Sequence, residues 1–247
     1  PVMFWIHGGG FTNGNGIGGA HVLFGGGVYM KGGILTNCLI AGNIGDRFGG
    51  GVYMTNNALV ANCLLIGNSV TSTIAAWGGG MYIDSGCKVI NSECISNSAL
   101  TLGAGIFCAA STIISNCLLA GNQASLAGGN GGGIHVYGTN VLIVDSVISN
   151  NTSGGIAGGI GVGASGFPTI MNCTVTCNSA RYAGGGVQLR TSTAGGALIT
   201  NSVISYNHIT ENAFYGSGLC DGYNIGATST GTLTVVGTDF IGNGGTN

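Results

Sequence analysis

The sequence predicts an all-β solenoid, in which short coils stack and each strand pairs in parallel with its counterpart one coil away. Three observations carry this. A Gly-rich motif with a short apolar strand recurs eight times, from GGGVYM at 25–30 and 49–54 to GSGLCD starting at 216, in steps of 24 to 32 residues. A second motif ending in Asn sits inside each unit, as in NCLIAGN at 37–43, NCLLIGN at 62–68 and NCLLAGN at 116–122. Third, glycine supplies 52 of 247 residues and the apolar pattern has a period of two, which excludes stacked helices. A unit this short cannot bury a core alone. Stacked on copies of itself, it pools its inward residues into a continuous interior.

Each element of the coil follows from alternation along a strand. In the GGG strand, Val28, Val52, Met81, Ile106, Ile134, Ile160, Val187 and Leu219 share one inward slot. In the second motif, a small-residue slot holds Cys38, Cys63, Ser92, Cys117, Ser146, Cys173, Ser202 and Thr238. Its inward partner slot holds Ile40, Leu65, Cys94, Leu119, Ile148, Val175, Ile204 and Phe240. Asn37, Asn62, Asn91, Asn116, Asp145, Asn172 and Asn201 recur where one strand bends toward the next. Asn tolerates the left-handed conformation there and can bond its equivalent one coil away. A second column, from Asn43 and Asn68 to Asn243, closes the motif and is read as structural. Cysteines that alternate with Ser and Thr in a buried slot are expected to be mostly free thiols rather than disulfides.

This pattern resembles the right-handed parallel β-helices of the broad pectin-lyase-like class, in texture like the Asn-ending repeats of bacterial surface and secreted proteins. The resemblance covers roughly residues 25–247 and implies about nine coils, with no α/β-hydrolase domain. The expected organisation is one domain over 1–247. Within it, residues 1–24 form an irregular or foreign first coil and residues 25–247 the regular coils, the whole being a piece of a longer protein. The resemblance implies an extracellular or cell-surface location.

Composition removes several functions. Five Lys and Arg against seven Asp and Glu give a net charge of −2, far from an electrostatic footprint on nucleic acid. No apolar run reaches the roughly eighteen residues of a membrane span. No closely spaced Cys and His set suggests a metal site, and no cofactor is expected.

The outward side of the GGG strand is where a ligand is expected. Tyr29, Tyr53, Tyr82, Phe107 and His135 occupy one slot on five successive units, followed by Gly161 and Gln188. Two residues along come Lys31, Thr55, Asp84, Ala109, Tyr137, Gly163 and Arg190. An external ladder of rings beside a few polar groups, with Tyr137 at its flank, is a candidate face for a glycan or a cell-surface partner. Asp84 is the candidate carboxylate for polysaccharide cleavage. It lies two coils from Lys31 and four from Arg190, about 10 Å and about 19 Å at the spacing of paired strands, too far for an acid/base pair on one bond.

The chain opens PVMFWIHGGGF. This stretch resembles the oxyanion-hole segment of type-B carboxylesterases, and the resemblance implies roles for His7 and for the backbone of Gly8 and Gly9. That family also needs a Gly-x-Ser-x-Gly elbow. The chain has only GASGF at 163–167 and YGSGL at 215–219, whose spacing is wrong. The expected function is therefore a non-catalytic surface module that binds carbohydrate along the ladder. A hydrolase remains the alternative, either esterase-like through the HGGG segment or a polysaccharide lyase or hydrolase. Open coil ends present unpaired strand edges, so either end-to-end homo-oligomers or a stabilising loop cap is expected.

Overall fold

A computed structural model describes residues 4–7, 24–189, 195–211, 216–221 and 232–245. The chain winds into a parallel β-helix whose every strand pairing is parallel and one coil apart. Among the described residues four sheets run along its length, one of nine strands and three of eight. Each coil visits them in a fixed order. The GGG strand comes first, for example Met81–Ile83, then a second strand, Cys87–Ile90. The Asn-motif strand follows as Glu93–Ile95, and a two-residue strand, Ser98–Ala99, completes the turn. The sequence motifs account for the first and third sheets. The second and fourth are additions, since their strands present as few as one inward residue per coil, such as Val60 or Ala99.

The interior is the predicted one. Val52, Met81, Ile106, Ile134, Ile160 and Val187 are fully buried in register, beside Met54, Ile83, Cys108, Val136 and Val162. Ile40, Leu65, Leu119, Ile148 and Val175 meet them from the third sheet. Removing so many large apolar side chains from water, at about 25 cal/mol per Å², is the main stabilising term of a fold with almost no charge. The eight cysteines whose side chains are described, Cys38 to Cys177, are all free.

Two asparagine columns handle the corners. Asn37, Asn62, Asn91, Asn116, Asp145, Asn172 and Asn201 all take positive φ, between 48° and 56°. Asn116 bonds Asn91 at 2.8 Å and Asn172 bonds Asp145 at 3.0 Å across coils. The inner column is buried from Asn43 to Asn207, and each member of it bonds the next, the last link being Asn207 to the partly exposed Asn243. The glycines of the GGG motif divide the remaining work. Gly78 has φ of 70°, Gly79 lies where a Cβ would strike the Ser98 carbonyl, and Gly80 leaves room for the Asn97 amide.

Phe4–His7 pairs with Cys38–Ala41, Phe4 opposite Cys38 and His7 opposite Ala41. Residues 4–7 of the stretch that resembles an esterase segment are thus laid down as a rung of the third sheet. Gly8 and Gly9 lie outside the described residues, as does Arg190.

Candidate functional site

The outward slot of the first sheet forms the expected ladder. Ring centroids are 5.3 Å apart for Tyr29 and Tyr53, 4.8 Å for Tyr53 and Tyr82, 5.1 Å for Tyr82 and Phe107, and 5.4 Å for Phe107 and His135. Interplanar angles run from 5° to 15°, so the rings lie nearly flat on one another. Parallel in-register pairing dictates this, because equivalent side chains on adjacent strands sit one strand spacing apart. A consequence is that the ring faces are occupied by neighbouring rings, and solvent sees mainly edges.

A second ladder stands beside the first, one that the repeat pattern alone does not reveal. Phe24, Phe48 and Trp77 each immediately precede a GGG motif and join across coils by isolated bridges, which continue to Leu102, Asn130, Ile156 and Ala183. They pack against the first ladder one coil on: Phe24 with Tyr53 at 5.0 Å, Phe48 with Tyr82 at 5.2 Å, Trp77 with Phe107 at 4.9 Å. Its sequence signal is an aromatic before GGG in three successive units, at a position that reads as the boundary between units.

The expected ligand residues are therefore not equivalent. Tyr29 is 42% exposed and Tyr137 is 53% exposed, while Phe107 and His135 are only 2% and 3% exposed. The first ladder ends after His135 because a Cβ at Gly161 would strike Asn130 Oδ1. Tyr137 stands in the neighbouring column, nearly parallel to Phe107 at 6.5 Å. Between the coil of Trp77 and Tyr82 and the coil of Tyr137, the intervening coil offers only Leu102, the recessed Phe107 and Ala109. These six residues line a notch of about 290 Å³.

Asp84 projects from the same face as Tyr82, in the column of Ala109 and Tyr137: Ala109 N–H donates to the Ile83 carbonyl and Tyr137 N–H to the Cys108 carbonyl. The Asp84 Oδ1 accepts from the Ser85 backbone N–H at 2.8 Å. Burial, then the Asp84 carboxylate, pushes the Tyr53 hydroxyl up to about 12. Burial, then Tyr53 and Asp84, raises Tyr82 further. Lys31 lies two coils from Asp84, in register with Thr55.

Elsewhere, Ser179 Oγ and His208 Nε2 are 3.2 Å apart on the outer side of the fourth sheet, and Arg181 pairs with Glu211 at 2.8 Å. Among the described residues no three His, Cys, Asp or Glu side chains gather as a metal site would require, and no helix is long and apolar enough to cross a membrane.

The family model described as "Right handed beta helix region" matches residues 72–246. The chain belongs to that right-handed β-helix family. No curated protein and no solved structure matches it.

Proposed function

We propose that this chain is a non-catalytic structural β-helix module of the cell exterior that binds carbohydrate on its aromatic face. The observation that carries the reading is the notch bounded by Trp77, Tyr82, Phe107 and Tyr137, continuous with the half-exposed ring edges of Tyr29 and Tyr53. A concave, mainly apolar site with a few polar groups at its margin suits the mixed surface of a sugar. Aromatic rings held rigid by stacking cost little ordering entropy on binding. Glycan-array binding by the wild type that disappears in a Tyr53→Ala/Tyr82→Ala double variant tests the reading; a folded wild type that retains no glycan would refute it.

An ester hydrolase is the second reading, favoured by the Ser179–His208 contact at 3.2 Å. Serine nucleophiles need such a base within hydrogen-bond reach. Turnover of p-nitrophenyl esters that is lost in Ser179→Ala selects this reading. Turnover lost in His7→Ala would instead select the HGGG segment, and polyuronate cleavage lost in Asp84→Asn the polysaccharide lyase or hydrolase.

A further inference from the structure

We infer that the notch is a subsite for one neutral pyranose ring, lying against Tyr137 on one side and facing Asp84 on the other. This inference rests on the carbohydrate-binding reading and makes it specific.

Thickness limits what can enter. Along the first ladder, rings repeat at 4.8 to 5.4 Å, one ring per coil. In the adjoining column, Tyr137 is preceded one coil earlier by Ala109 and two coils earlier by Asp84. Ala109 thus leaves one rung empty, and the gap from Tyr137 to Asp84 is two strand spacings, about 10 Å. That gap admits a single ring layer. The recessed Phe107 forms the floor, with Trp77 and Leu102 closing the far side.

The two sides of the empty rung differ chemically. Tyr137 offers the face of a ring, which packs on C–H groups. The Asp84 carboxylate, with Oδ1 already held by Ser85 N–H, accepts hydrogen bonds. Asp84 stands at the margin of the notch, outside its six lining residues and only partly buried, so a purely aromatic occupant would satisfy the first side and offer the carboxylate no donor. A pyranose carries both an apolar C–H face and hydroxyl donors. The six lining residues carry no positive charge, so a uronate ring would set its carboxylate against Asp84 without compensation. The subsite therefore selects neutral sugars over the acidic ones.

Isothermal titration with cellotriose, maltotriose and chitotriose, and with trigalacturonate as the acidic probe, tests this. Wild type is expected to bind at least one neutral trisaccharide and to prefer it to trigalacturonate. Ala109→Phe fills the empty rung with a ring that extends an existing stack; it should keep the melting temperature and weaken binding by at least about tenfold. Tyr137→Ala carries the same expected loss should Ala109→Phe fail to fold. Asp84→Asn should narrow the preference over trigalacturonate. Undiminished affinity in folded Ala109→Phe or Tyr137→Ala, or a wild-type preference for trigalacturonate, overturns the subsite. If the Tyr53→Ala/Tyr82→Ala protein then loses binding, the broader carbohydrate reading stands without it. A wild type that binds no neutral glycan defeats both.

Discussion

Asn97 and Asn122 are joined twice: Asn122 Oδ1 accepts from the Asn97 backbone N–H at 2.9 Å and from Asn97 Nδ2 at 3.1 Å. Asn122 Nδ2 in turn donates to the Cys94 carbonyl and to Asn151 Oδ1, both at 2.9 Å. All four bonds are buried, so truncation strands the Asn97 backbone N–H and takes one bond each from Asn97 Nδ2, the Cys94 carbonyl and Asn151 Oδ1, although Asn97 Nδ2 keeps the Leu65 carbonyl and Asn151 Oδ1 keeps the Asn122 N–H. At about 1–3 kcal/mol for the unsatisfied group, and less for each lost bond, Asn122→Ala should cost about 4 kcal/mol. Urea unfolding checks it, and a cost near that of an exposed substitution would count against the ladder as a structural spine.

Asn122→Asp should make stability depend on pH. The carboxylate keeps the acceptor toward Asn97 but faces the Cys94 carbonyl and Asn151 Oδ1, where a donor is needed. Burial and these acceptors favour the protonated acid, so its folded pKa lies above the unfolded value of about 3.9. The native state then holds more protons, and stability falls as pH rises above about 4, levelling off beyond the folded pKa. The gap in melting temperature between variant and wild type should be smallest at about pH 4, where the acid's single O–H replaces only one of the two amide bonds, and should widen by about pH 8.

The inward columns and the bend asparagines were legible because each repeats a distinctive chemistry at a fixed register. Val28 to Val187 are apolar in every coil, and Asn37 to Asn201 needed a residue that accepts positive φ. The second sheet was not legible. Ile34–Thr36 and Leu59–Ala61 are too short and too variable to show period two. The candidate face was half legible. Tyr29 to His135 could be read as a column, but whether its faces or its edges meet solvent depends on ring orientation. The notch depends on what is missing, at Leu102 and Ala109. A small residue becomes informative only once Trp77 and Tyr137 are known to flank it.

The tyrosine ladder predicts an alkaline limit. The Tyr53 hydroxyl is pushed up to about 12, by burial first and then by Asp84, Tyr29 and Cys87. Its unfolded counterpart ionises near about 10. Above that pH the native state holds the extra proton, so stability present at lower pH is lost progressively as pH rises toward the folded value. Tyr53→Phe should flatten the decline of melting temperature between about pH 10 and about pH 12. Ultraviolet titration of the native protein should lose one late-ionising phenol in the same variant.

Thiol reactivity should report whether the coil interior is closed. Burial pushes the thiols of Cys94 and Cys108 well up, and that of Cys117 to about 11. Thiolate is the reactive form, so these groups are expected to be inert while the coil is closed. Cys177 is exposed, at a bend with φ of 55°. In the native protein, Ellman's reagent should modify Cys177 in seconds to minutes and leave Cys38 to Cys173 until denaturant is added. Mass mapping of the labelled peptides distinguishes the sites, and rapid labelling of Cys94 would contradict the closed interior.

Two glycine substitutions separate space from backbone conformation. Gly67 has φ of 65°, a Cβ added there would meet nothing within 4 Å, and the equivalent bend in a later coil is Asn150 at 55°. Gly67→Asn should therefore change stability by less than about 0.5 kcal/mol. Gly79 has no positive φ, yet a Cβ there would strike the Ser98 carbonyl oxygen and carbon, which are backbone atoms held in the fourth sheet. Overpacking against immobile backbone costs about 1–3 kcal/mol, so Gly79→Ala should fall near the upper end. Because Ser98 pairs with both Ser69 and Gln123, the displacement must be shared with adjacent coils, and amide exchange should quicken across all three. Equal effects from the two substitutions would mean that the motif glycines are retained for chain flexibility rather than for the close approach of neighbouring coils.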